Sequence, residues 1–190
     1  MHELQTGVWH WQAPHPKWKG PDVSSYAIDA GERLLLFDPI ATPSLVDELA
    51  SGRVPVVVLT SPWHERDARD LVERLGAHVY APPPEKGNDD PIRGDVFSAG
   101  DRLPIGVEAF PGMEPNDLML WVEDCRALIA GDTLVDVGDG LELRDSWLPD
   151  GASREQTLAA LRPLLELPVD LVLATHGGPC NRAALERALA

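Results

Sequence analysis

The chain has 190 residues, 44% hydrophobic and 25% charged, the proportions of a soluble globular domain that buries roughly 70% of its unfolded surface and needs neither disulfide nor metal merely to fold. Sixteen Lys and Arg stand against 31 Asp and Glu, a formal charge of −15, so there is no basic footprint for a phosphate backbone and nucleic acid is not an expected partner. No apolar run reaches the roughly 18 residues that cross a bilayer, and the opening from Met1 to Thr6 lacks the basic end and apolar stretch of a signal peptide; no membrane partner and a cytoplasmic location are expected.

Two cysteines, Cys125 and Cys180, form no CxxC arrangement, which leaves two buried thiols as the expectation. The cluster from Trp9 to Trp18 holds three of the six tryptophans. It reads as an edge strand whose aromatics cover a sheet, with a pocket wall or dimer contact as the alternative.

Residues 23–30 and 33–39 flank Gly31-Glu32 as two apolar strands around a tight turn, a β-hairpin. A helix is predicted over 42–49, with Pro43 in the first turn and Gly52 beyond the end. The apolar, β-branched run 54–60 is a strand covered on both faces. An amphipathic helix over 65–75 follows, with Ala68, Leu71, Val72 and Leu75 on one face and Gly76 as its stop. Strand 77–81 then completes a βαβ unit. Residues 82–95 form a surface loop between two halves of one domain. Strands follow at 106–110, 117–123 and 126–130. Ser153 and Gln156 read as a capping box before a helix that Pro163 kinks or ends. Residues 170–175 are another buried strand, and Asn181 caps a short last helix. The acidic stretches at 89–90 and 136–139 read as solvated loops. Strand-rich halves with helices after the strands predict an α/β fold, a four-layer αββα sandwich formed as a single domain over 1–190.

Loops that directly follow buried strands are where chemistry is expected. They are Thr60-Ser61-Pro62-Trp63-His64-Glu65-Arg66-Asp67, Phe110-Pro111-Gly112-Met113, Ile129-Ala130-Gly131-Asp132-Thr133-Leu134 and Ala174-Thr175-His176-Gly177-Gly178-Pro179. Together with the hairpin end Phe37-Asp38-Pro39, their order resembles the metallo-β-lactamase fold superfamily over about residues 5–185. Gly-Asp-Thr-Leu at 131–134 and Thr-His-Gly at 175–177 are the most specific matches.

That resemblance implies a metal site and hydrolysis by a metal-activated water. In active members the first loop carries H-x-H-x-D-H, a later Pro-Gly-His adds a ligand, the Asp of Gly-Asp-Thr bridges two metals and a final His closes the site. Here the four positions of the first motif hold Ser61, Trp63, Glu65 and Arg66, and Met113 replaces the His of Pro-Gly-His. Asp132 and His176 remain. An indole has no lone pair for a metal, Met is soft, and Arg66 carries a permanent charge. A one-residue shift places Pro62, His64, Arg66 and Asp67 there and recovers one histidine.

The expectation is therefore a divergent member without the dinuclear centre and without a metal cofactor: a small-molecule binder or pseudoenzyme, its pocket built from Ser61, Trp63, Glu65, Arg66, Asp67 and Met113. In that reading the Arg66 guanidinium takes the metal's electrostatic place beside Asp132 and Glu65. The first alternative is a hydrolase of an ester, thioester or lactone, with one zinc, manganese or iron ion on Glu65, Asp132 and His176, joined by His64 or Asp67. There His64, Asp132 and His176 are the catalytic candidates. Against it, Asp132 and His176 also read as a residual hydrogen-bonded pair, and His64 as an exposed loop histidine. The second alternative is a homo-oligomeric structural protein joined through the tryptophan-rich N-terminus.

Overall fold

Strand pairing in the N-terminal half follows from where the chain can turn tightly and where it must cross over. The computed structural model describes all residues except Pro16 and Trp18, and of Pro43 only the backbone. The part of the tryptophan cluster at Trp18 therefore lies outside the described residues. Two compact units are present, Met1–Phe97 and Ser98–Ala190; the division falls just beyond the loop that sequence places between the halves.

In the first unit, β1 (His2–Gln5), β2 (Val8–Ala13), β3 (Val23–Ala30) and β4 (Arg33–Phe37) form an antiparallel meander. The β3–β4 hairpin turns at Gly31 (φ 75°), whose N–H donates to Asp29 Oδ1. Parallel pairing requires a crossover. Helix α1 (Pro43–Ala50) provides it between β4 and β5 (Val54–Val58), and α2 (Ala68–Leu75) between β5 and β6 (His78–Ala81). The short β7 (Asp95–Val96) completes a seven-stranded sheet in sequence order. Leu34, Leu36, Val57 and Val79 pack with Val46, Leu49 and Leu71 of the helices, so the apolar face read from 68, 71, 72 and 75 is the face that packs.

Two expectations change here. Strand β2 pairs on both sides, with β1 and β3, so Trp9 and Trp11 lie in an inner strand and the edge is β1. Helix α2 begins at Ala68, not 65, because Arg66 takes a left-handed backbone (φ 43°) after a 3₁₀ turn over Pro62–His64, and a helix cannot run through that conformation.

In the second unit, β8 (Arg102–Leu103), β9 (Val107–Pro111), β10 (Leu118–Val122) and β11 (Ala127–Ile129) are antiparallel neighbours. A separate ribbon, β12 (Val135–Asp136) with β13 (Leu141–Glu142), precedes α3 (Arg154–Leu161). Strand β14 (Leu171–Leu173) pairs parallel with β11, then antiparallel with β15 (Pro179–Asn181), and α4 (Arg182–Ala188) ends the unit. The six-stranded sheet runs β15-β14-β11-β10-β9-β8. Its core joins Met119, Trp121, Leu128 and Val172 to Leu161 and Leu185 of the helices.

Asn181 caps α4 as expected, its side chain accepting from the Ala184 N–H at 3.1 Å. Ser153 occupies the N-cap of α3, but its hydroxyl makes no capping bond; the Ser153 carbonyl simply accepts from the Thr157 N–H, as any residue's would. At Pro163 the α-helix gives way to a 3₁₀ segment over Arg162–Glu166. Among the described residues no helix is long and apolar enough to cross a membrane.

Candidate functional site

Each unit gathers its own cluster of polar groups at loops that leave the carboxyl ends of buried strands. In the first unit β4 is followed at once by Asp38, 2% exposed, with left-handed backbone (φ 44°). Its Oδ1 accepts the Thr60 N–H at 2.9 Å and its Oδ2 the Thr60 hydroxyl at 2.6 Å. Because that hydroxyl donates to Asp38, its lone pairs face His64 Nδ1, 2.9 Å away; Asp38 Oδ2 lies 3.2 Å from the same nitrogen. A proton on Nδ1 satisfies both acceptors and assigns His64 the tautomer with its lone pair on Nε2.

His64 is 4% exposed, which corrects its reading as an exposed loop residue. Burial by itself raises the Asp38 carboxyl, but His64, the Arg66 charge and the Thr60 hydroxyl outweigh it and hold the group below the ordinary carboxylate range.

The other residues of this loop are spoken for. Arg66 Nη1 donates to the Ser24 carbonyl at 2.8 Å and the Asp38 carbonyl at 2.6 Å, which puts its charge beside Asp38. Glu65 is bound by the Arg69 guanidinium, and Asp67 Oδ2 accepts the Ala41 N–H at 2.8 Å, fastening the loop that follows β4. Ser61 is fully buried, and among the described residues its hydroxyl has no hydrogen-bond partner. Trp63 sets its ring edge-on to His64 with centroids 6.3 Å apart. Trp63, Glu65, Arg66 and Arg69 line an open cleft of about 500 Å³ together with His15 and Lys17.

In the second unit Asp132 and His176 meet. Asp132 follows β11, His176 follows β14, and these strands are parallel neighbours, so their ends lie side by side. His176 Nε2 stands 3.1 Å from Asp132 Oδ1, with the side chains 21% and 13% exposed. The Trp147 ring meets the imidazole edge-on at 5.2 Å, and the Arg144 guanidinium lies 5.2 Å over that indole. Met113 packs against the apolar core of this unit.

Both members of the pair are held from behind. Asp117, fully buried, accepts the Asp132 N–H at 3.2 Å on Oδ1 and the Thr133 hydroxyl on Oδ2. The Asp136 N–H donates to the His176 carbonyl at 2.9 Å, while its carboxylate accepts from Gly178 and Gly138, each at 2.9 Å. Asp136 is thus a fixed strap across the loop after β14, not a member of a solvated acidic run. Asp117, Asp136 and Trp147 are the residues to which sequence reading gives no role in a site. Asp38 it singles out only within the hairpin end Phe37-Asp38-Pro39, without a role for its side chain.

Two ligands at about 2.0–2.1 Å from one ion stand roughly 3 Å apart. The nitrogen and oxygen of His176 and Asp132 have that separation and that donor chemistry, so a single zinc, manganese or iron ion fits them.

The profile of the Metallo-beta-lactamase superfamily matches residues 44–176. Among solved structures, the chain is similar to the DIM-1 metallo-β-lactamase exposed to ceftazidime, with 13% identity, a TM-score of 0.74 and coverage of 99% of this chain and 93% of that one. The FIM-1 metallo-β-lactamase from Pseudomonas aeruginosa in its mono-zinc form has 14% identity, a TM-score of 0.74 and coverage of 98% and 91%. TTHA1623 in a di-iron-bound form has 25% identity, a TM-score of 0.66 and coverage of 89% and 95%. A search of the curated proteins finds no match. The mixed α/β fold expected from the order of the motifs is the fold found.

Proposed function

This chain belongs to the metallo-beta-lactamase superfamily, and from that membership we propose that it is a cytoplasmic hydrolase that works with one divalent metal ion on Asp132 and His176 rather than with two. The Asp132–His176 pair at 3.1 Å carries the reading, since it joins the two motif residues that this sequence retains. The ion, when bound, supplies a water of lowered pKa and polarises a carbonyl. Asp132 and His176 would hold it, and the Trp147 ring, set at a steep angle to the imidazole 5.2 Å away, limits how His176 can turn. Within the first unit, Thr60 and Asp38 hold the His64 ring through Nδ1. The substrate class is an ester, thioester or lactone.

A second reading, a metal-free small-molecule binder, is favoured by the engagement of Glu65 with Arg69 and by Ser61, Trp63 and Met113 at the other ligand positions. Metal content decides between them. Untagged protein purified without chelators should carry near one ion of zinc, manganese or iron per chain by elemental mass spectrometry, and Asp132→Ala should lose it. Metal far below one per chain that does not rise on incubation with these ions would overturn the proposal in favour of the binder. Two ions per chain would overturn it in the other direction.

A further inference from the structure

Behind Asp132 lies a knot in which Gly112 and Thr133 of the motif loops close on Asp117, a residue that neither the motifs nor the proposed reaction assigns. The Thr133 hydroxyl donates to Asp117 Oδ2 and accepts the Met113 N–H at 2.8 Å; the Asp117 carbonyl accepts the Gly112 N–H at 2.9 Å. A Cβ on Gly112 would stand 2.4 Å from both the Asp117 carbonyl oxygen and the Thr133 hydroxyl oxygen. The approach of the backbone is therefore close enough that only glycine fits. Oδ1 of the same carboxylate reaches forward to the Asp132 N–H. One fully buried side chain thus ties the loop after β9 to the loop after β11.

We infer that Asp117 is a positioning residue: through the Asp132 N–H and the Thr133 hydroxyl it fixes the backbone of Gly131-Asp132-Thr133, and so aims the Asp132 carboxylate at His176. A carboxylate suits this task because it accepts at both oxygens and donates nothing. Its effect on a metal rests on the single-ion reading, but its effect on the Asp132–His176 pair does not. The Gly-Asp-Thr motif acquires a division of labour: Asp132 is the ligand, and Thr133 is the link that transmits its placement from Asp117.

The test uses the whole chain as Asp117→Asn, Thr133→Val and Thr133→Ser. Asn keeps an acceptor for the Asp132 N–H but turns an amide donor toward the Thr133 hydroxyl. Val deletes that hydroxyl, and Ser restores it. Cobalt(II) titrations followed by visible absorption should show affinity weakened by about 10–100-fold in Asp117→Asn and Thr133→Val, the range for partners behind a metal ligand, with Thr133→Ser close to wild type. In metal-free protein at one fixed pH, the His176 Nε2 ¹⁵N signal, which reports the Asp132 carboxylate standing 3.1 Å away, should move in the same two variants and not in Thr133→Ser.

Variants that melt at lower temperature yet keep both cobalt affinity and the ring signal would reduce Asp117 to packing and overturn the proposal. Wild-type protein that takes up no cobalt would sink the single-ion reading alone; the ring signal then decides, a shift supporting the positioning role and its absence refuting it. Should Asp117→Asn fail to fold, the contrast between Thr133→Val and Thr133→Ser decides in the same way: a difference between them supports the role, and identical behaviour refutes it.

Discussion

Replacing Asp38 with asparagine removes one negative charge from a buried group that accepts bonds at both carboxylate oxygens. Asn Oδ1 still accepts the Thr60 N–H, but the bonds at Oδ2 from the Thr60 hydroxyl, at 2.6 Å, and from His64 Nδ1, at 3.2 Å, are lost. Hydrogen bonds to a charged acceptor contribute about 1.5–3 kcal/mol each. The expected loss is about 3–5 kcal/mol, which is also the range for breaking a buried pair from one side. Urea unfolding at pH 7 should show the midpoint fall by roughly 1–2 M, given an m-value of about 2–3 kcal/mol/M.

The pH dependence has a definite sign. Asp38 is held below its ordinary value, so its contribution is complete above about pH 4, the unfolded value, and fades as pH falls through the depressed folded value. The gap between wild type and Asp38→Asn should be widest near pH 6 and narrow below pH 3. A loss under about 1 kcal/mol at pH 7, or a gap that stays constant down to pH 3, would refute the buried network around this carboxylate.

Two further outcomes are expected. Burial, aided by the charges of His2 and the N-terminus, lowers His10 to about 4 while it bonds Ser24 at 2.8 Å. The unfolded chain then takes up that proton first, so stability falls as pH drops from about 6.5 to 4, by roughly 2–3 kcal/mol at about 1.4 kcal/mol per unit; urea titrations of His10→Gln should lack that slope, and an unchanged slope would exclude His10 as its source. At Gly177 (φ 90°) a Cβ would stand 2.4 Å from the Asp136 carbonyl oxygen, whereas at Gly138 (φ 91°) it meets nothing. Gly177→Ala should cost about 2–4 kcal/mol in thermal melts and Gly138→Ala about 1 kcal/mol; equal costs would show that backbone conformation alone is at work.

What the chain discloses before folding depends on how local the cause is. The βαβ unit was legible because Val56, Val57 and Val58 are buried on both faces and Gly76 stops α2 in a left-handed cap. Asp132 and His176 were legible through motifs whose strands lie side by side. The start of α2 was not, since a left-handed Arg66 leaves no trace of the kind glycine leaves. Asp117 and Asp136 were hidden for a related reason. Whether an acidic residue faces water or accepts bonds from a loop folded across it depends on distant backbone: the Asp136 carboxylate takes the N–H of Gly178, 42 residues away. Met113 and Ser61 stand out in the sequence as departures from the family pattern, but only the packing shows that the first, partly buried, rests against the core and that the second is sealed from solvent.

The left-handed backbones of Asp38 and Arg66 have one more consequence. Conformations of this kind cost of order 1 kcal/mol or more and persist only where the surroundings over-determine them. Here each strained residue restrains the other, because Arg66 reaches across to the carbonyl of Asp38 while the Asp38 carboxylate holds Thr60 at the root of the Arg66 loop. A substitution that frees either turn, after β4 or after β5, therefore also removes a restraint on the other.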